Sequence, residues 1–139
     1  MKVLIKGPSG LIRTALSKPP TAGRHSEIRL QRQNNDPDSP VCDPENCLKD
    51  LARVGGIYAV VHLAGENIAD DRWSKTKKNR ILNSRVKGTK LLAEYFANSN
   101  QKSRVIISAS AVGFYGGRRG EIVDEDSKAR NGFLANVCV

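Results

Sequence analysis

Aromatic residues are scarce in this chain of 139 residues, since Phe, Trp and Tyr together make up 5%. Nucleic-acid platforms that stack bases need several exposed rings, and the composition disfavours them. Hydrophobic residues at 39% and charged residues at 27% are the balance of an ordinary globular protein. The length suffices to bury a real core, and we predict a single domain over residues 1–139.

Cysteine and long apolar runs are also lacking. The three cysteines are an odd number, and Cys42 and Cys47 lie further apart than the Cys-x-x-Cys pairs of zinc and redox sites. We therefore predict no metal site and a reducing compartment, the cytoplasm. The longest apolar run, residues 57–64, is far shorter than the ~20 residues of a membrane span, and we expect no membrane association.

Acidic residues are outnumbered, with 14 Asp and Glu against 23 Lys and Arg, for a formal net charge of +9. Such a surplus usually points to an anionic partner: nucleic acid, an acidic membrane or a phosphorylated small molecule. The excess is concentrated in a basic run, defined here as the eight Lys and Arg residues from Arg72 to Lys90, with no acid among them. We interpret the basic run as the solvated face of a helix, and a nucleic-acid surface as the less favoured alternative.

Strand and helix signals alternate along the chain. Strand signals cover residues 2–5, 27–31, 57–64 and 104–108, helical signals cover 11–18, 46–54 and 74–98, and a further helix begins at Phe133. Residues 39–42 could add a short edge strand. The strands at 57–64 and 104–108 are rich in β-branched residues, as buried parallel strands are. Alternation of this kind predicts an α/β fold: a doubly wound, Rossmann-like parallel sheet in three αβα layers.

A glycine turn, Gly7-Pro8-Ser9-Gly10, follows the first strand signal. Glycines at such a turn let the backbone approach a pyrophosphate, and the amides of Leu11 and Ile12 at the helix start would donate to it. Arg13 stands where a third glycine would allow close packing of helix and sheet. A plain turn without a ligand is the alternative interpretation.

Arg32 follows the second strand signal, at the position where an acid would grip the ribose of NAD and an arginine accommodates the 2′-phosphate of NADP. The residue therefore predicts a preference for NADP. One more surface arginine on a basic protein is the alternative.

Several longer segments together resemble the epimerase-like subfamily of extended short-chain dehydrogenases/reductases, the NAD-dependent epimerase/dehydratase superfamily. The match is strong from Val60 to Cys138 and loose from Lys6 to Asn46. The segments that carry it are residues 3–12, Val60–Ala69 with Arg72-Trp73, Ser84–Leu92, Ile107–Gly116, Glu125–Ser127 and Phe133–Cys138.

The resemblance implies a Rossmann-like fold that binds NADP, with the Leu63–Gly65 turn (Leu63, Ala64 and Gly65) beside the cofactor. Gly88 would let the long helix pack closely on the sheet. By similarity, Ser110 is the catalytic serine that hydrogen-bonds the substrate oxygen. A serine that only satisfies loop amides is the alternative.

Two departures from the family set the functional prediction. Most relatives carry Tyr-x-x-x-Lys downstream of the serine, where the tyrosine moves a proton, whereas this chain has Phe133–Cys138 there. Family members are also much longer, and the missing part binds the substrate. We therefore predict a truncated NADP-binding member of epimerase or oxidoreductase type, inactive alone and with an unknown small-molecule substrate. A non-catalytic NADP-binding sensor or scaffold is the alternative.

Overall fold

The computed structural model describes residues 1–7, 11–16, 25–30, 51, 53–100 and 102–139. The described chain forms two compact units, Met1–Ser108 and Ala109–Val139. The first unit contains a parallel sheet with the long helix packed against it, and the second contains one 3₁₀ turn and one short helix.

The first unit is built on a four-stranded sheet in the order β2-β1-β3-β4. All three strand pairings are parallel, which confirms the predicted α/β class. The strands are β1 (Lys2–Lys6), β2 (Ser26–Leu30), β3 (Ile57–His62) and β4 (Val105–Ser108). The chain lays β2 on one side of β1 and β3 on the other, so the strand order reverses between β1 and β3. In open α/β sheets, ligands bind at the carboxyl ends of the strands at such a switch point.

The first unit has two helices with defined bounds, α1 (Leu11–Leu16) and α2 (Lys75–Asn98), and residues 51, 53 and 54 are also helical. Ser74 begins α2 because its side chain accepts a hydrogen bond from the amide of Lys77 at 3.1 Å. The bounds of α2 confirm the prediction for residues 74–98. The end predicted for α1 and the edge strand at residues 39–42 lie outside the described residues.

The core lies between the sheet and α2. Its buried members are Leu4, Leu30, Leu51, Ile57, Val60, Leu92 and Phe96. Hydrophobic periodicity predicts that the buried stripe of α2 consists of Ile81, Arg85 or Val86, Leu92, and Tyr95 or Phe96. Of these, Ile81, Leu92 and Phe96 are buried, whereas Val86 is 46% exposed. Val86 follows Ile81 by five positions, which places it about 140° further round the helix. Arg85, one turn after Ile81, is the half-buried member of that pair.

The predicted burial of the last strand is wrong. All residues of β4 are exposed, among them Val105 at 41%, Ile106 at 40% and Ile107 at 53%. β4 is the outermost strand of the described sheet and pairs with β3 on one side only. A β-branched composition is typical of buried strands, but alternate side chains point to opposite faces of the sheet, and both faces of β4 are exposed here.

The second unit contains a 3₁₀ turn at Val112–Phe114 and the helix α3 (Phe133–Cys138), which confirms the helix expected from Phe133. A Cβ on Gly113 would lie 2.9 Å from Leu134, so this glycine allows the 3₁₀ turn to contact α3. The amide of Arg130 donates to the carbonyl of Phe114 at 3.0 Å and ties the intervening loop back. Within the described residues of both units, none of the helices has the length and apolar character needed to cross a membrane.

Candidate functional site

The switch point brings together two of the turns singled out in the sequence. Lys6 and His62 are register partners at the ends of β1 and β3, and the amide of Leu63 donates to the carbonyl of Lys6 at 2.8 Å. Because the two strands are parallel neighbours, the chain leaves both at the same edge of the sheet. Gly7 therefore lies against the Leu63–Gly65 turn, although the two are far apart in the sequence.

Gly7 is required there for two reasons. Its backbone φ angle of 99° lies in a region that residues with a side chain rarely adopt. A Cβ at this position would also lie 2.7 Å from the amide nitrogen of Ala64 and 2.8 Å from the carbonyl carbon of Leu63, closer than real contacts allow. The first residue of the glycine turn thus lets the backbones of the two turns approach directly.

The structure describes only some of the other residues that are predicted to bind a cofactor. Leu11 and Ile12 are the first residues of α1, with side chains 89% and 60% exposed. Gly10 and Arg32 lie outside the described residues. The structure therefore brings Gly7, Leu63 and Ala64 together, and the cofactor roles of all eight predicted residues stay predictions.

The residue after the Leu63–Gly65 turn, Glu66, is held by α2 through both its backbone and its side chain. Its amide donates to Ser84 Oγ at 2.9 Å, and its carbonyl accepts from Arg85 Nη1 at 3.0 Å. Its carboxylate pairs with Lys77 Nζ at 2.9 Å and with Arg80 Nε at 3.5 Å. These contacts together define the Glu66 clamp.

Neither the Glu66 clamp nor the burial of Lys77 in the basic run was predicted from the sequence. Lys77 is 2% exposed, so the prediction of a solvated helix face is wrong for this residue. Arg85 is half-buried, in agreement with its place among the alternatives for the buried stripe of α2. Lys77 precedes Ile81 by four residues and Arg85 follows it by four, so both lie on the buried face of the helix. That spacing around an apolar residue was the available signal, and the remaining six cations of the basic run are exposed as expected.

His62, at the end of β3, is buried beside two cations. It is 3% exposed, and its Nδ1 has no hydrogen-bond partner among the described residues. Burial first, and then the charges of Lys6 and Arg85, lower the pKa of His62 from 6.5 to about 4. A Cβ on Gly88 would lie 3.3 Å from His62 Nε2 and 3.4 Å from Lys6 Nζ, which bears out the expected close packing of Gly88.

Ser110, the predicted catalytic serine, belongs to the second unit and is exposed, two residues after the end of β4. The stretch that replaces Tyr-x-x-x-Lys forms α3 and contains neither residue type. The described residues contain no group of three or more His, Cys, Asp or Glu side chains able to hold a metal ion. The role of Ser110 stays a prediction.

A family model and several known proteins match nearly the whole of this chain. The model of the NAD dependent epimerase/dehydratase family matches residues 3–135. An epimerase family protein of Mycobacterium bovis is 37% identical over 138 residues, which is 99% of this chain and 45% of that protein.

Two solved structures are also similar. The crystal structure of human epimerase family protein SDR39U1 (isoform 2) with NADPH has a TM-score of 0.82 and 30% identity, over 99% of this chain and 46% of that one. A nucleoside-diphosphate sugar epimerase from Corynebacterium glutamicum has a TM-score of 0.77 and 39% identity, over 99% of this chain and 28% of that one. This chain thus spans less than half the length of the proteins it matches here.

The contact between the two turns can be tested with a pair of glycine variants. Gly7→Ala places a Cβ in a backbone conformation with positive φ and against the backbone of Ala64. Gly56→Ala, at φ 64° with open space around it, meets only the conformational cost. We expect Gly56→Ala to lower the free energy of unfolding by about 1–2 kcal/mol, and Gly7→Ala to lower it by clearly more, as measured by urea unfolding. Equal losses would show that the turns are not in contact.

The buried imidazole predicts a pH dependence of stability. The unfolded chain protonates His62 below pH 6.5, whereas the folded chain resists protonation down to about pH 4. Stability is therefore fully present above pH 6.5 and falls as the pH drops toward 4, by on the order of 3 kcal/mol from this group. Urea unfolding from pH 7 to pH 4 measures the slope. For His62→Gln, the free energy of unfolding should fall less steeply over this range. A slope identical to that of the unsubstituted chain would contradict the assignment.

Proposed function

The chain belongs to the NAD dependent epimerase/dehydratase family, and we propose that it is an NADP-binding short-chain dehydrogenase/reductase of epimerase-like type. The observation that carries the proposal is the closure of Gly7 against the Leu63–Gly65 turn at the switch point of the sheet. That edge is where open parallel sheets bind nucleotides.

The residues at this edge fit a dinucleotide. Gly7 lets the turn after β1 approach the Leu63–Gly65 turn, and the pyrophosphate would lie beside these two turns. Lys6 and Arg85 bring positive charge to the same edge, and the lowered pKa of His62 keeps that side chain neutral at pH 7. In the proposed complex, the cofactor-binding residues are Gly7, Gly10, Leu11, Ile12, Leu63, Ala64, Gly65 and, for the 2′-phosphate, Arg32.

Bound NADP would supply hydride transfer. Of the chain's own residues, Ser110 would hydrogen-bond the oxygen of the substrate, and α3 offers no tyrosine or lysine to move the proton. Human SDR39U1, which is similar to this chain, was crystallised with NADPH.

The absence of Tyr-x-x-x-Lys in α3 favours a second candidate, a non-catalytic NADP-binding module that senses the cofactor or assembles with a partner. A nucleic-acid surface is less favoured because Lys77, Arg80 and Arg85 of the basic run contact Glu66. The three cysteines are consistent with the proposed cytoplasmic location.

Titration with NADPH and NADH tests the proposal. A guanidinium gains charge-assisted hydrogen bonds with the 2′-phosphate, worth about 1.5–3 kcal/mol. Arg32→Ala should therefore weaken NADPH binding at least about tenfold and leave NADH binding nearly unchanged. Arg29→Ala, which removes an exposed arginine of β2, is the matched control and should alter neither. Equal losses of affinity for both cofactors in Arg32→Ala would refute the role of Arg32. If the unsubstituted chain bound neither NADPH nor NADH, the proposed function would be refuted.

A further inference from the structure

The Glu66 clamp holds the backbone of the residue that follows the Leu63–Gly65 turn. Ser84 Oγ accepts from the Glu66 amide at 2.9 Å and donates to the carbonyl of Ile81 at 3.0 Å, so its position is fixed from the helix. Arg85 Nη1 holds the next carbonyl, that of Glu66, at 3.0 Å. Two consecutive peptide groups are therefore attached to α2.

The attachment at Ser84 also sets the orientation of Gly65. The amide of Glu66 and the carbonyl of Gly65 belong to one planar peptide group and point in opposite directions. A hydrogen bond to that amide therefore fixes where the Gly65 carbonyl points. A Cβ on Gly65 would lie 2.8 Å from Arg85 Cζ, so the guanidinium lies directly across this glycine.

The side chain of Glu66 cannot easily leave the clamp. Lys77 is 2% exposed and its ammonium group lies 2.9 Å from Glu66 Oε1, with Asp70 further off at 3.9 Å. Removing the glutamate would leave most of the charge of a buried ammonium uncompensated, which is costly. The ion pair thus holds the loop in place while Ser84 and Arg85 orient its backbone.

We propose that Ser84 and Arg85 are positioning residues that hold the Leu63–Gly65 turn in its nucleotide-binding conformation before the nucleotide arrives. The proposal rests on the proposed function, since it requires that NADPH binds at this turn. A turn that is already ordered loses less conformational freedom on binding, so the clamp contributes to affinity without touching the ligand. It also gives part of the basic run a role within the chain.

The test compares variants of neighbouring α2 residues in the free and NADPH-titrated protein. Ser84→Ala removes the acceptor for the Glu66 amide, Ser84→Thr retains a hydroxyl, and Asn83→Ala removes an exposed side chain of the same helix as a control. Well below the melting temperature, we expect Ser84→Ala to raise the Kd for NADPH about tenfold, equivalent to about 1.4 kcal/mol. Ser84→Thr and Asn83→Ala should stay within about twofold of the unsubstituted chain.

A second readout does not use the nucleotide. In the free protein, amide hydrogen exchange at Gly65 and Glu66 should accelerate in Ser84→Ala, while exchange within β1 and β3 stays unchanged. A lower melting temperature with an unchanged Kd would show a structural role only and overturn the proposal. Failure of the unsubstituted chain to bind NADPH would instead refute the proposed function, and this inference with it.

Discussion

The turn after β1 closes against the turn after β3 only because Gly7 has no Cβ. With a side chain there, the amide nitrogen of Ala64 would lie 2.7 Å away, and one of the two turns would have to move. The parallel register that places Lys6 opposite His62 fixes where the turns emerge, and the hydrogen bond from Leu63 to Lys6 keeps them together. The edge where a nucleotide would bind is therefore defined by backbone proximity, with side chains arranged around it.

Some of the positive charges near the carboxyl ends of β1 and β3 contact Glu66 of the same chain. Glu66 receives Lys77 and Arg80 on its carboxylate and Arg85 on its carbonyl, so three members of the basic run serve an internal loop. Lys6 and Arg85 also face His62, and their charges reinforce the effect of burial in lowering its pKa to about 4. The imidazole adds no third charge at neutral pH, which limits the repulsion that close packing near Gly88 must withstand.

Local patterns predicted much of this arrangement. Four strands in a parallel sheet and the bounds of α2 follow from hydrophobic periodicity, and the resemblance to a known family directed attention to the Leu63–Gly65 turn. The exposure of β4 depends on what covers the two faces of the sheet, which a β-branched run does not encode. The pairing of Lys77 with Glu66 joins a loop to a helix, so it emerges only once both are placed in three dimensions. Gly10 and Arg32 lie outside the described residues, and their assignments rest on the sequence alone.

Amide chemical shifts recorded by nuclear magnetic resonance during a titration with NADPH would locate the nucleotide directly. If the two turns at the switch point form its site, the largest shift changes should occur at Gly7, Ala64 and Gly65, with smaller ones at Glu66. Changes confined to the exposed cations of α2 would identify a surface for anions instead. That result, or the absence of any saturable change, would contradict a nucleotide site between β1 and β3.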